Sequence, residues 1–122
     1  MSSYQKSFRH LVVWQKAKIL TKSIYMITKN FPQDEKFGII SQLKRASSSI
    51  MANIAEGNQR KSKKERCRFI EIARGSLVEV DCHIDLALEL EYLSIEDYNV
   101  IEELINKTGY LLYKFEQSQV SL

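Results

Sequence analysis

Chain-breaking residues are scarce in this sequence. Of 122 residues, one is proline, Pro32, and four are glycine: Gly38, Gly57, Gly75 and Gly109. Strand-and-turn folds consume many such residues, so their scarcity predicts a few long helices. The length is that of one domain, spanning 1–122, able to bury a core without disulfide or metal staples.

The apolar residues confirm the period. Val13, Ala17, Leu20, Ile24, Ile27 and Phe31 are spaced 4-3-4-3-4, the stripe of an amphipathic helix over about 12–30. Pro32 ends it, because the residue before a proline is pushed out of the helical region. Asp34 and Glu35 then suit the positive end of a second helix, about 34–56. Its stripe is Ile39, Leu43, Ala46, Ile50, Asn53 and Ile54, with Ser47, Ser48, Ser49, Ala52 and Ala55 allowing close helix approach. Gly57 is expected as a left-handed cap. Asn53 is expected as a core amide whose hydrogen bonds are made and which holds helix register.

A third helix, about 62–92, opens on the capping box Ser62-Lys63-Lys64-Glu65. Its expected core face is Phe69, Ala73, Ser76, Leu77, Val80, Ile84, Ala87 and Leu88. Ser94 and Asp97 signal a fourth, about 95–117, with apolar residues from Tyr98 to Phe115. Short connections make neighbours antiparallel, so the fold class is all-α: an up-down-up-down four-helix bundle.

Several chemistries find no residues to carry them. Cys67 and Cys82 have no CxxC partner, which reads as reduced thiols in a cytoplasmic protein. The N-terminus has no apolar signal core, and no apolar run is long enough to span a membrane. A di-iron bundle needs inward Glu-x-x-His motifs. Here Glu79 and His83 are four apart, beside Asp81 and Cys82, with no second set. There is no phosphate loop or dinucleotide fingerprint. Arg74 and His83 have eight residues between them, too many for the Arg/His spacing of helical nucleases. The serines at 47–49 have no nearby base. The expectation is a non-enzyme with no metal and no cofactor.

The net charge is only +3, but residues 1–74 carry 16 Lys and Arg against 5 acids, and residues 75–122 carry 2 against 10. Residues 60–68 hold six cations and one acid. Many charge runs are only solvated faces. Three features set this one apart. Lys63 and Lys64 oppose the dipole of the third helix, each costing about 0.3–1 kcal/mol. Lys61, Lys64 and Arg68 form one line on a helical wheel, with Lys63 and Arg74 on the other flank. Lys44 and Arg45 add charge from the second helix. Basic side chains at a helix start suit phosphate, indifferent to base identity. With Phe69 assigned to the core, base stacking is not expected here. The candidate nucleic-acid-binding residues are therefore Arg60, Lys61, Lys63, Lys64 and Arg68, supported by Lys44, Arg45 and Arg74. The acids at Glu79, Asp81, Asp85, Glu89 and Glu91, and at Glu96, Asp97, Glu102 and Glu103, form either a solvated face or a surface that meets the basic half of the next subunit.

Three blocks in order carry a resemblance: FRHLVVWQKA (8–17), the block 25–57 ending NIAEG, and RFIEIARGSLVEV (68–80). Over about 8–114 the chain resembles the four-helix-bundle proteins encoded in 23S rRNA intervening sequences. It is similar to the accessory variability protein of diversity-generating retroelements. The resemblance implies a ring-shaped homo-oligomer, a pentamer, whose basic surface binds nucleic acid. For the retroelement relatives it also implies a reverse-transcriptase partner. Two functions are expected in order: contact with RNA or an RNA–DNA hybrid through phosphates, and, as the alternative, a protein-interaction adaptor, for example for a reverse transcriptase.

Overall fold

The computed structural model describes residues 3–120. A 3₁₀ segment, Ser3–His10, precedes four helices: α1 Val12–Ile27, α2 Ile39–Asn58, α3 Lys63–Glu89 and α4 Ile95–Val120. Each packs on its sequence neighbour, and α1 closes on α4, with α2 and α3 in the most extensive contact. Among the described residues there is no strand. The result is the expected all-α four-helix bundle.

The core is built from the periodic residues. Val13, Ala17, Leu20 and Ile24 of α1 meet Leu43, Ala46, Ile50 and Ile54 of α2; Ala73, Val80 and Ile84 of α3 and Ile101, Ile105 and Leu112 of α4 complete it. Each large aliphatic side chain so buried contributes about 1.5–3 kcal/mol. Asn53 makes the expected hydrogen bonds but is only partly buried rather than a core group: its amide donates to the Ser49 carbonyl at 2.9 Å and to Ser49 Oγ at 3.0 Å, and Ser49 Oγ lies 2.9 Å from Ser76 Oγ on α3. This chain of hydrogen bonds pins α2 to α3 in register.

Helix ends depart from the sequence expectation in three places. First, α1 tightens into a 3₁₀ turn, Thr28–Asn30, before Pro32, and α2 begins at Ile39 rather than near residue 34. Glu35 lies in a separate 3₁₀ turn, Gln33–Glu35. Its carboxylate accepts from Tyr92 Oη at 2.7 Å and from the Ile39 amide at 3.5 Å, tying this connection to the end of α3. The phenol's pKa is pushed up, first by that hydrogen bond, which favours the neutral donor.

Second, Gly57 is not a left-handed cap. It lies buried within α2, and no described glycine has positive φ. A Cβ there would stand 2.9 Å from Phe69 Cβ and 3.3 Å from the Arg66 carbonyl. The missing side chain lets α3 approach.

Third, the left-handed residue is Glu91, φ 61°, just past α3. The Tyr92 amide donates to the Ala87 carbonyl and the Glu91 amide to the Leu88 carbonyl, both at 2.9 Å, which is a Schellman closure. A side chain in this conformation is strained. Glu91→Gly should raise stability by about 1 kcal/mol, read as a higher urea midpoint with unchanged m-value.

The cap at Ser62 forms: its Oγ accepts from the Glu65 amide at 3.0 Å, and Ser94 Oγ does the same for Asp97 at 3.1 Å. On α3 the core face is shifted from the expected one. Ile70 is buried, whereas Phe69 and Leu88 are only partly so. Cys67 and Cys82 are both free.

Candidate nucleic-acid interface

Gly57 brings the start of α3 against the end of α2, so the cations of the connection crowd together. Arg66 organises them. Its guanidinium donates to the carbonyls of Arg60 (3.1 Å) and Lys61 (2.7 Å), and to Gln119 Oε1 on α4 (2.8 Å). This arginine lay within the charge run but outside the expected site. Its long-range partners, 53 positions away in the case of Gln119, carry no local sequence signal.

The five connection residues are not equivalent. Lys61 and Lys64 are exposed, and neither ammonium has an ion pair or hydrogen bond among the described residues. Lys63 Nζ donates to the Val120 carbonyl at 3.2 Å, near the end of α4. Arg60 pairs with Glu56 at 3.0 Å and Arg68 with Glu65 at 3.7 Å. Both guanidiniums also lie over the Phe69 ring, at 4.9 Å and 5.9 Å from its centroid. Phe69 is thus an aromatic between two cations, not a core residue as expected. Exposed ion pairs of this kind contribute about 0–1 kcal/mol, so a phosphate can displace the carboxylates.

The supporting residues lie elsewhere. Lys44 and Arg45 sit about 24 Å down α2 from the connection. Lys44 Nζ lies 5.0 Å from the Tyr25 ring centroid. Arg45 is held by Gln42 and by Glu79 of α3, and Arg74 by Glu116 of α4. Basic and acidic halves therefore meet within one chain at these two points. Glu79 also faces His83, at 3.9 Å, which leaves the Glu79/His83 pair as a surface contact.

The acids converge between α3 and α4. Asp81, Asp85 and Glu102 bring oxygens within 4.8 Å of one another. Glu102 Oε2 is sealed from solvent without a hydrogen-bond partner. Two ionised carboxylates can only repel, whereas a proton on Glu102 supplies a hydrogen bond to Asp81. Burial foremost, then that bond and the charges of Asp81 and Asp85, push Glu102 up to about 7. Tyr98 donates to Asp85 at 2.6 Å, and this bond carries its own pKa up to about 12.

Glu102 has a consequence for stability. Its native pKa lies above its ordinary 4.5. The protonated group therefore stabilises the fold fully below about 4.5, and this is lost as pH rises through about 7. Glu102→Gln keeps the neutral form, so it should gain stability over wild type by about 1 kcal/mol at about pH 8, partial exposure and solvent screening limiting the size. The gap should close below about pH 4.5 in paired urea titrations.

The chain is an all-α four-helix bundle with a basic connection between α2 and α3 and an acidic seam between α3 and α4. The family model of the 23S rRNA-intervening sequence protein matches residues 9–114, and the chain belongs to that family. It is similar to a crystal structure of a protein of unknown function from the S23 ribosomal protein family of Bacteroides thetaiotaomicron VPI-5482. That likeness has 26% identity and a TM-score of 0.77, over 86% of this chain and 98% of that one. No curated protein matches the chain. Among the described residues, no helix is long and apolar enough to cross a membrane.

Proposed function

We propose that the protein is a non-enzymatic nucleic-acid-binding bundle that contacts the phosphates of RNA, or of an RNA–DNA hybrid, through the α2–α3 connection. The observation that carries this reading is the pair Lys61 and Lys64: exposed, unpaired, and set at the start of a helix whose field they oppose. Phosphate would relieve that repulsion and engage the first-turn region of α3. Arg60, Lys63 and Arg68 supply further charge. The family name refers to an intervening sequence of 23S rRNA and assigns no ligand, so the support comes from the charge geometry.

The protein works as a ring of copies in this reading, a pentamer by family resemblance. Light scattering at micromolar concentration should give a mass several times that of the 14.2 kDa chain; a monomer removes the ring.

With about four phosphate contacts, affinity for a mixed-sequence RNA should fall about 50-fold between about 50 and about 200 mM salt. No binding, or binding indifferent to salt, refutes the reading. An adaptor for an acidic protein partner, for example a reverse transcriptase, is the second reading, favoured by exposed apolar side chains such as Ile72, Val78 and Leu86 on α3.

A further inference from the structure

The first 33 residues contain no acid, and the first to appear is Asp34. Folding aligns this one-sided charge. Trp14, Lys18, Lys22, Tyr25 and Lys29 follow one another at spacings of 4, 4, 3 and 4, so they lie on one face of α1 and its terminal turn. The line extends about 22 Å. Lys18, Lys22, Tyr25 and Lys29 are exposed, and Trp14 is partly so.

Two aromatic rings, Trp14 and Tyr25, are interspersed among the three lysines along it. Lys18 Nζ stands 5.4 Å from the Trp14 ring, and Lys44 of α2 reaches the Tyr25 ring. At one end the face opens into a depression of about 650 Å³, lined by Phe8, Arg9, Trp14, Lys18, Ile19 and Lys22. The Phe8 and Trp14 rings meet edge to face there, 4.9 Å apart at 64°. Gln15 holds the Arg9 carbonyl at 2.8 Å, fixing the rim. At the other end a smaller depression gathers Lys29, Lys36 and Lys44. Among the described residues, no acid lines either hollow, and Arg9, Lys18, Lys22, Lys29 and Lys36 have no ion pair.

We propose that this face of α1 is a track for single-stranded RNA. Phosphates follow the line Lys18, Lys22 and Lys29, and an unpaired base enters the Phe8–Trp14 depression. The chemistry favours a strand over a duplex. Aromatic surface beside a cationic groove engages the faces of unstacked bases, which a duplex hides. An acidic polypeptide would satisfy the cations but leave the ring-lined hollow without a planar partner. The proposal rests on the nucleic-acid reading but places the contact on a different surface, so the two can fail separately.

Trp14 is the sole tryptophan, so its fluorescence reports the hollow directly. The full-length protein is titrated with a labelled single-stranded RNA, the matching duplex, polyphosphate and polyglutamate. Anisotropy of the label reads RNA binding, and competition against the labelled strand reads the other polyanions. Single strand should bind tightest and quench Trp14; polyphosphate should compete without matching that quench. Lys18→Glu with Lys22→Glu should weaken the strand by about 25-fold, two phosphate contacts being lost, with helix content unchanged by circular dichroism. RNA bound with Trp14 unchanged and with full affinity in that variant overturns the track but leaves the α2–α3 interface standing. Equal affinity for duplex, or quenching by polyglutamate equal to that by RNA, also overturns it; the latter assigns the face to an acidic protein. Absence of RNA binding in every arm ends both proposals.

Discussion

Gly57→Val should destabilise the bundle by about 1–3 kcal/mol, the usual cost of over-packing. The new Cβ would start 2.9 Å from Phe69 Cβ and 3.3 Å from a backbone oxygen of α3, before either γ-methyl is placed. Neither neighbour is the free end of a flexible chain. The two helices must separate where the fold is most closely packed, and Phe69, with the two arginines over it, must move. Gly57→Ala separates the terms. It meets the same Cβ contact, but gains about 1 kcal/mol of helix propensity over glycine, so its net change should be small. For a domain of this size the valine variant should lose about 4–12 °C in melting temperature. A valine variant as stable as wild type contradicts the close approach of α2 and α3.

The second large effect is functional. Lys61→Glu with Lys64→Glu should lower RNA affinity about 25-fold at about 0.1 M salt and flatten the salt dependence by about 1.4 in log–log slope. Both follow from two lost phosphate contacts at about 0.7 each. The double variant is cleaner than one including Lys63, whose ammonium is engaged by the Val120 carbonyl. It also carries its own folding control. A glutamate in the first turn of α3 favours the helix dipole, by about 0.3–1 kcal/mol, so the variant should be as stable as wild type or more so. Lost binding then cannot be blamed on lost structure. Binding unchanged by the double reversal removes the α2–α3 connection from the interface.

The four helices were legible because scarce glycine and proline left the apolar period uninterrupted. The Ser62 and Ser94 caps were legible because their partners lie three residues away. What failed were inferences that depend on who packs against whom. Gly57 looked like a helix stop because a charge run follows it; its cause is an approach to Phe69, twelve positions on. The period of α3 admits Phe69 or Ile70 as core; Ile70 is the buried one, while Phe69 lies against Gly57 at the bundle's edge. The charge run at 60–68 was plain, but not which cations were already engaged. Arg45 meets Glu79 and Arg74 meets Glu116 across helices, at 34 and 42 positions. The absence of acids from the first 33 residues is legible in the sequence as charge, as is the denser run at 60–68. The spacing of Trp14, Lys18, Lys22, Tyr25 and Lys29 places them on one helical face, but the hollow beside Trp14 depends on the packing of Phe8 and Arg9 against α1, which has no local sequence signal.

The most direct test of a nucleic-acid-binding role is ultraviolet crosslinking in cells, followed by recovery of the protein and identification of the crosslinked peptides. Binding through the surfaces described here predicts covalently attached RNA, with adducts on peptides spanning 60–68 or 8–29 and reduced recovery of RNA with Lys61→Glu/Lys64→Glu. Recovery of the protein free of RNA, crosslinked only to another polypeptide, would contradict it and leave the adaptor reading in its place.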